Sequence, residues 1–409
     1  MSAALDTTHP LHAAPAPAGG DGPRADAPAR ARAVAPLIAA ESPRIEAGCR
    51  LTPDALDALH DAALFRTLLP RAYGGEEVDL ATFYRMQETI AAADGSAAWC
   101  LGQASGCSMA AAYMAPEVAW EIWGGDPRAV TAWGWGFGEA RVVPGGYRVT
   151  GTWRFGSGIR HATWVGGHCR VRDADGTLRQ DPDGALADRT MMFRKDQVQV
   201  AGDWDAVGLR GTGSDTYSVR DLFVPEAYSV RRDRDEERRI PPGSLYLFTT
   251  TNAYATAFAG VSMGIARGLL DAFEAMARTK APAATESVLR DSEVVQDGVA
   301  RQEAKLRSAR AFLQEVLEEC RERVGRRGAL ATEDRVDIRL ATTSAIHRAK
   351  EVAEWAYHEA GASAIFPAGP FERRMRDIHA SAQQVQGRTA HLALCGQHFL
   401  GLTPEARFL

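Results

Sequence analysis

The apolar residues of this chain change their spacing twice, and few folds accommodate that. From Pro36 to about Asp126 they recur at helical intervals. From about Ala129 to Pro225 they fall into short alternating runs, and from Leu245 onward helical spacing returns. The chain is therefore expected to be α+β, with a β-unit inserted between two helical units. In the first unit Thr52-Pro53-Asp54 predicts a helix start, a capping hydroxyl followed by proline at the first helical position. Asp94-Gly95-Ser96 breaks the next helix, with Ser96 a candidate cap for the apolar, alanine-rich stretch that follows, and Pro116 can open another. In the middle, Pro144-Gly145-Gly146 predicts a hairpin turn. Short strands are expected at 164–171, 190–193, 198–200 and 217–224, arranged antiparallel, with a turn at 181–184. The last unit predicts four long helices, about 246–279, 286–325, 332–361 and 371–401, packed as a bundle. The charged run 231–239, RRDRDEERR, reads as a solvated loop or helix face.

Composition narrows the function classes. A formal net charge of −5 argues against a broad nucleic-acid footprint. The six cysteines form no CxxC pair, which predicts reduced thiols in a cytoplasmic protein and no zinc site. No apolar run reaches the roughly 18–20 residues of a membrane span. Residues 1–35, rich in Ala, Pro and Gly, are expected to form a disordered tail. The domain boundaries that follow are 36–128, 129–240 and 241–409.

The chemistry-bearing motifs are not those of nucleotide-binding or hydrolase folds: GxGxxG, P-loop, HExxH and GxSxG are all missing. Five histidines lie in the last quarter, but their spacing makes no metal site. Two stretches are dense instead. One is 153–164, WRFGSGIRHATW. The other is 204–226, whose Gly208-Leu209-Arg210-Gly211-Thr212-Gly213-Ser214 is a glycine-rich turn between strands. Its backbone could approach a ligand closely. On spacing alone a tight β-connection explains it better.

The pieces Gly151–Trp164 and Gly208–Glu226, together with LPRAYGG at 69–75, DGSAAW at 94–99 and ERRMRD at 372–377, resemble the acyl-CoA dehydrogenase superfamily, in its order and over about residues 45–402. The resemblance implies a helical N-terminal domain, a β-barrel-like middle domain and a C-terminal four-helix bundle. It also implies flavin bound between the β-domain and the bundle, and a homotetramer. Dehydrogenases of the family need a carboxylate base, and Gln386 stands where that glutamate falls; an amide cannot take the α-proton. The family's RxxFG flavin contact is also missing.

The run RDIHASAQQVQGR resembles instead the two-component flavin-dependent monooxygenases of this fold. That resemblance implies FADH2 or FMNH2 delivered by a separate reductase, O2 as co-substrate, and a C4a-hydroperoxyflavin that oxidises an aromatic, polyketide-like or heteroatom-bearing small molecule. It assigns Ser157 to flavin N5 and His379 to the peroxide. Trp153, Phe155, Gly156, Gly158, Arg210, Gly211, Thr212 and Ser214 are placed around the flavin, and Ser108, Trp133 and Trp135 near the substrate. His161 is structural or near the ring edge, and Arg376–Asp377 is a structural pair. The rival expectations are an acyl-CoA dehydrogenase with a relocated base and a protein of this fold that has lost catalysis.

Overall fold

The computed structural model describes residues 26–181, 184–234, 237–240, 243–282, 287–405 and 409. Parts of the expected 181–184 turn, of the 231–239 run and of the expected tail lie outside those residues. The first helix, α1 (Ala27–Gly48), begins inside the stretch expected to be a disordered tail. Asp26 caps it by accepting from Ala29 N–H at 2.7 Å, and Pro28 occupies its first turn. Ala27, Ala31, Ile38 and Ile45 then bury one face. The cap-plus-proline signal is the same one that correctly marks α2 (Pro53–Asp61) behind Thr52. It is obscured here because alanine carries most of the buried stripe and two internal prolines interrupt it.

Helices α3 (Leu80–Ala93), α4 (Gly95–Ser108) and α5 (Pro116–Ala119) complete the first unit. Asp94, not Ser96, caps α4, accepting from Ala97 N–H at 2.8 Å. A carboxylate accepts that bond more strongly than a hydroxyl, and Ser96 is buried inside the first turn.

The middle unit is one eight-stranded sheet, seven of its strands in the order β6-β7-β3-β2-β4-β5-β8 and the eighth, β1, paired with β4 off that path. Its strands are β1 (Thr131–Trp133), β2 (Gly138–Val143), β3 (Gly146–Gly156), β4 (Trp164–Arg172), β5 (Asp188–Arg194), β6 (Gln199–Val200), β7 (Asp215–Pro225) and β8 (Ser229–Val230). The expected hairpin forms between β2 and β3. The sheet is mixed where an antiparallel one was expected, because β1 and β2 both pair with β4 in parallel. Together they act as one strand broken at residues 134–137. Trp153, Tyr217, Phe193 and Val165 fill a core on one sheet face. Trp133, Trp164 and Met192 on the other join the core of the helices.

Helix α6 (Thr250–Ala277) is buried nearly all round and joins the two helical units, packing on α3 and α4 as well as on α8 (Thr332–Ala360) and α9 (Glu372–Ala382). One continuous apolar cluster therefore runs from Ala27 to Ile378. Helix α7 (Glu293–Arg327) packs on α8. The fourth expected helix is broken into α9 and α10 (Ala390–Phe399). The break has a side-chain cause: Gln384 accepts from Gln386 N–H at 2.8 Å, and the amide oxygen of Gln386 accepts from the buried Arg339 of α8. Among the described residues no helix is long and apolar enough to cross a membrane.

Candidate active site

The site forms where β3 ends. Trp153 still points into the sheet core, and then the β3–β7 register slips between Trp153 and Gly156. Phe155 sits inside that bulge at φ +62°, a region that costs a non-glycine residue strain. Its ring is turned outward, 56% exposed, edge-on to Trp204 at 6.2 Å. The chain then turns through Ser157 and Gly158. Gly158, at φ +77°, donates its N–H to Thr212 O at 2.9 Å, which ties this turn to the 209–214 turn.

Between the two turns lies a row of buried hydroxyls. Trp99 Nε1 donates to Ser157 Oγ at 3.1 Å, Ser157 Oγ meets Ser214 Oγ at 2.7 Å, Ser214 Oγ meets Thr212 Oγ1 at 2.7 Å, and Thr212 Oγ1 donates to Leu209 O at 2.7 Å. An indole N–H can only donate and a carbonyl can only accept. Three hydroxyl protons must serve the three remaining bonds, so all run one way, from Ser157 to Ser214 to Thr212 to Leu209. Ser157 accepts from Trp99, donates to Ser214, and retains one lone pair. The Trp99 ring stacks on Phe258 of α6 at 4.0 Å, and Phe258 is nearly parallel to Tyr254 at 5.9 Å.

The 208–214 turn is held from below by α9. Leu209 N–H donates to Asp377 Oδ1 at 2.6 Å, and Arg376 Nη1 donates to Val207 O at 2.6 Å. The backbones are so close that a Cβ on Gly208 would lie 2.2 Å from Arg376 O. Burial, followed by the charge of Asp94, pushes the Asp377 carboxyl up to about 7. Asp215, at the far end of the turn, takes Arg160 in a two-pronged pair at 2.7 and 2.9 Å. His161 lies beneath Gly158, and burial, with His60 adding to it, takes its imidazole down to about 3, so it stays neutral.

The structure thus brings Phe155, Gly156, Ser157, Gly158, Thr212 and Ser214 together and sends other expected residues elsewhere. Trp153 is fully buried in the sheet core, its Nε1 donating to His168 O at 2.8 Å, so it supports the site without facing it. Arg210 pairs with Asp205 at 3.2 Å and Glu46 at 3.7 Å, away from the hydroxyl row. Gly211 is a packing position, where a Cβ would lie 2.2 Å from Ile45 Cγ2. Ser108 spends its hydroxyl on Ser105 O at 2.7 Å within α4. Trp135, at the break between β1 and β2, is 60% exposed, whereas Trp133 is buried against the helices.

His379 follows Asp377 by two positions, about 200° around a helix. Asp377 faces the 209 turn; His379 faces α8, with Nε2 3.4 Å from Glu354 Oε1. The chain's own contacts do not bring it to Ser157. The residues around the hydroxyl row that sequence reasoning missed are Trp99, Phe258 and Tyr254. Trp99 was within reach, since it closes the DGSAAW motif.

Gln386 is buried and committed to Arg339, so it supplies no base. The carboxylates around the hydroxyl row are also committed: Asp94 to the α4 cap, Asp215 to Arg160, and Asp377 to Leu209 N–H. Among the described residues no group of His, Cys, Asp and Glu could hold a metal ion. The fit to a flavin is favourable. A buried hydroxyl with one spare lone pair stands beside an outward-turned aromatic ring, as a flat heteroaromatic ring with a polar edge requires.

A helical unit, an eight-stranded sheet and a helical bundle, with the site between sheet and helices, define the acyl-CoA dehydrogenase fold. Residues 256–386 match the family model described as acyl-CoA dehydrogenase, C-terminal domain. The chain is 30% identical over 363 residues to indole-3-acetate monooxygenase of Pseudomonas putida, covering 88% of this chain and 90% of that protein. It is 29% identical over 253 residues to the flavin-dependent monooxygenase oxygenase subunit HsaA of Rhodococcus jostii, covering 59% and 63%. The structure of XiaF from Streptomyces sp., in complex with FADH2 and glycerol, superposes with a TM-score of 0.85 at 24% identity, covering 93% of this chain and 96% of that one. The chain belongs to the flavin-dependent monooxygenases built on the acyl-CoA dehydrogenase fold.

Proposed function

We propose that this chain is the oxygenase component of a two-component monooxygenase, taking FADH2 or FMNH2 from a separate reductase and oxidising a flat aromatic molecule with O2. Reduced flavin supplies the electrons and the oxygen-reactive carbon when bound. The observation that carries this reading is the one-way hydroxyl row. It leaves Ser157 a hydrogen-bond acceptor toward the site, which suits the N5–H of reduced flavin and not the bare N5 of oxidised flavin. Phe155 would flank the ring, Gly156 and Gly158 would admit it, and Thr212 and Ser214 would hold Ser157 in its orientation. The committed carboxylates and the Gln386 amide favour oxygenation over α-proton abstraction. The names of the relatives support an aromatic substrate and a reductase-fed flavin. Trp133 would wall the substrate. A cytoplasmic homotetramer is consistent with six free cysteines and with Phe399 and Leu400 left exposed at the end of α10.

The test is to mix the protein anaerobically with reduced flavin, admit oxygen, and follow flavin absorbance and hydrogen peroxide. Reoxidation distinct from that of free flavin, with peroxide release suppressed by an oxidisable aromatic, supports the proposal. Reoxidation at the free-flavin rate whatever is added sinks it. Bleaching of a yellow protein by an acyl thioester would instead identify a dehydrogenase.

A further inference from the structure

The run 231–239 does more than face solvent. Arg231 reaches Asp181 at 2.5 Å, Arg234 reaches the same carboxylate at 3.8 Å, and Glu237 takes Arg189 from β5 at 2.9 Å. Arg232 is the exception. It turns inward, with its guanidinium carbon 4.9 Å from the centre of the buried Trp133 ring. Its Nε donates to Thr190 Oγ1 and its Nη1 to Thr250 Oγ1, both at 3.2 Å. Among the described residues no carboxylate lies within ion-pair distance of it. The adjacent Asp233 is occupied by Thr250, accepting from its N–H at 2.9 Å and its hydroxyl at 2.6 Å. A half-buried guanidinium with hydroxyl partners only is a costly arrangement unless an anion completes it.

A second donor is fixed beside it. His168 Nδ1 lies 2.9 Å from Thr190 Oγ1, and its ring meets Trp133 edge-on at 5.6 Å. Thr190 is buried, and its hydroxyl, already accepting from Arg232, has His168 Nδ1 as its only acceptor among the described residues. The proton therefore goes to Nδ1, which leaves the neutral imidazole with its N–H at Nε2. That N–H meets no acceptor among the described residues. Gln103 Nε2 anchors this wall to α4 through Trp133 O at 3.1 Å, and Cys107, 3.5 Å from the Tyr254 hydroxyl, links it to α6. From Tyr254 the aromatic row Phe258–Trp99 leads to Ser157.

We propose that Arg232, with the His168 Nε2–H beside it, recognises an anionic substituent, a carboxylate, on an aromatic substrate whose ring packs along Trp133. The inference rests on the oxygenase reading and names the substrate class for the same site. The acid is held at the Arg232 end, so the ring is directed toward Ser157 and the carboxylate away from the reacting centre. A charge-assisted bond of this kind is worth about 10- to 100-fold in affinity over a neutral isostere.

The test uses the full-length protein loaded anaerobically with reduced FMN, and three matched pairs: indole-3-acetate, 4-hydroxyphenylacetate and 3-hydroxybenzoate, each against its carboxamide. At least one acid should bind about 10- to 100-fold tighter than its amide. Arg232→Gln should erase that ratio by weakening the acid while leaving the amide within about twofold, and Arg232→Lys should retain part of it. Equal binding of acid and amide across all three pairs, or an unchanged ratio in Arg232→Gln, overturns the proposal with or without folding losses in the variant, because the first comparison needs wild-type protein only. Failure to retain either reduced FMN or reduced FAD at the outset overturns the oxygenase reading itself, and with it this inference.

Discussion

Removing the Ser157 hydroxyl should alter which redox form of flavin the protein prefers, and not merely how tightly flavin binds. In the wild-type row Ser157 accepts from Trp99, donates to Ser214 and offers its remaining lone pair to the site. Ser157→Ala deletes one hydrogen bond to reduced flavin, worth about 0.5–1.5 kcal/mol, or roughly 2- to 13-fold in its Kd. Oxidised flavin presents a lone pair at the same position and should bind no worse. A two-electron couple shifts by about 30 mV per tenfold change in affinity ratio, so the midpoint potential of the bound flavin should fall by about 10–30 mV. Thr212→Val makes a sharper companion. Without the Thr212 hydroxyl, Ser214 can donate back to Ser157, whose proton is then free to address the site. Thr212→Val should therefore tighten oxidised flavin, the opposite of a generic loss of packing. Spectroelectrochemical titration of flavin with each variant, alongside fluorescence titration of the oxidised form, measures both effects. Equal weakening of both redox forms in both variants would refute the one-way row.

Three further outcomes are expected. Asp377 holds a proton in the folded state up to about pH 7, while an unfolded chain loses it near pH 4. The folded state therefore binds the extra proton between those values, and wild-type stability should fall as pH rises through that window. Asp377→Asn keeps an acceptor for Leu209 N–H, so it should match wild type near pH 4 and exceed it at pH 8 by at most about 4 kcal/mol, read from thermal melts across pH. Trp153→Phe should cost about 1–3 kcal/mol in denaturant unfolding, through lost volume and the lost bond to His168 O, with reduced-flavin affinity unchanged. His379→Ala should leave reduced-flavin binding and the peroxide yield unchanged and cost about 0–1 kcal/mol at most, as for a partly exposed ion pair; a raised peroxide yield would return His379 to the site.

The fold was legible where local chemistry and tertiary packing agree. Thr52 with Pro53, the Pro144–Gly146 hairpin turn and the helical stripes of α3, α6 and α8 say the same thing at both levels. It was obscured where they diverge. Alanines carry the buried stripe of α1, so composition resembled a tail. The parallel pairing of β1 and β2 with β4 depends on strands far apart in sequence, which no local pattern encodes. The same division holds at the site. Ser157, Thr212 and Ser214 lie in glycine-rich turns that announce themselves. Trp153 and Ser108 have the right chemistry nearby, but the alternation of β3 and an i−3 carbonyl on α4 turn them away. Arg232 was hidden inside a charged run; the identity of its partners, hydroxyls where Arg231 and Arg234 have the Asp181 carboxylate, separates it from them.

The central claim, that the row ending at Ser157 selects reduced flavin, is tested most directly by one comparison on unmodified protein. Reduced and oxidised FMN and FAD are titrated in turn into the full-length chain under anaerobic conditions. The account predicts that the reduced form of at least one flavin binds several-fold more tightly than its oxidised form. Tight binding of oxidised flavin with equal or weaker binding of the reduced form would contradict it.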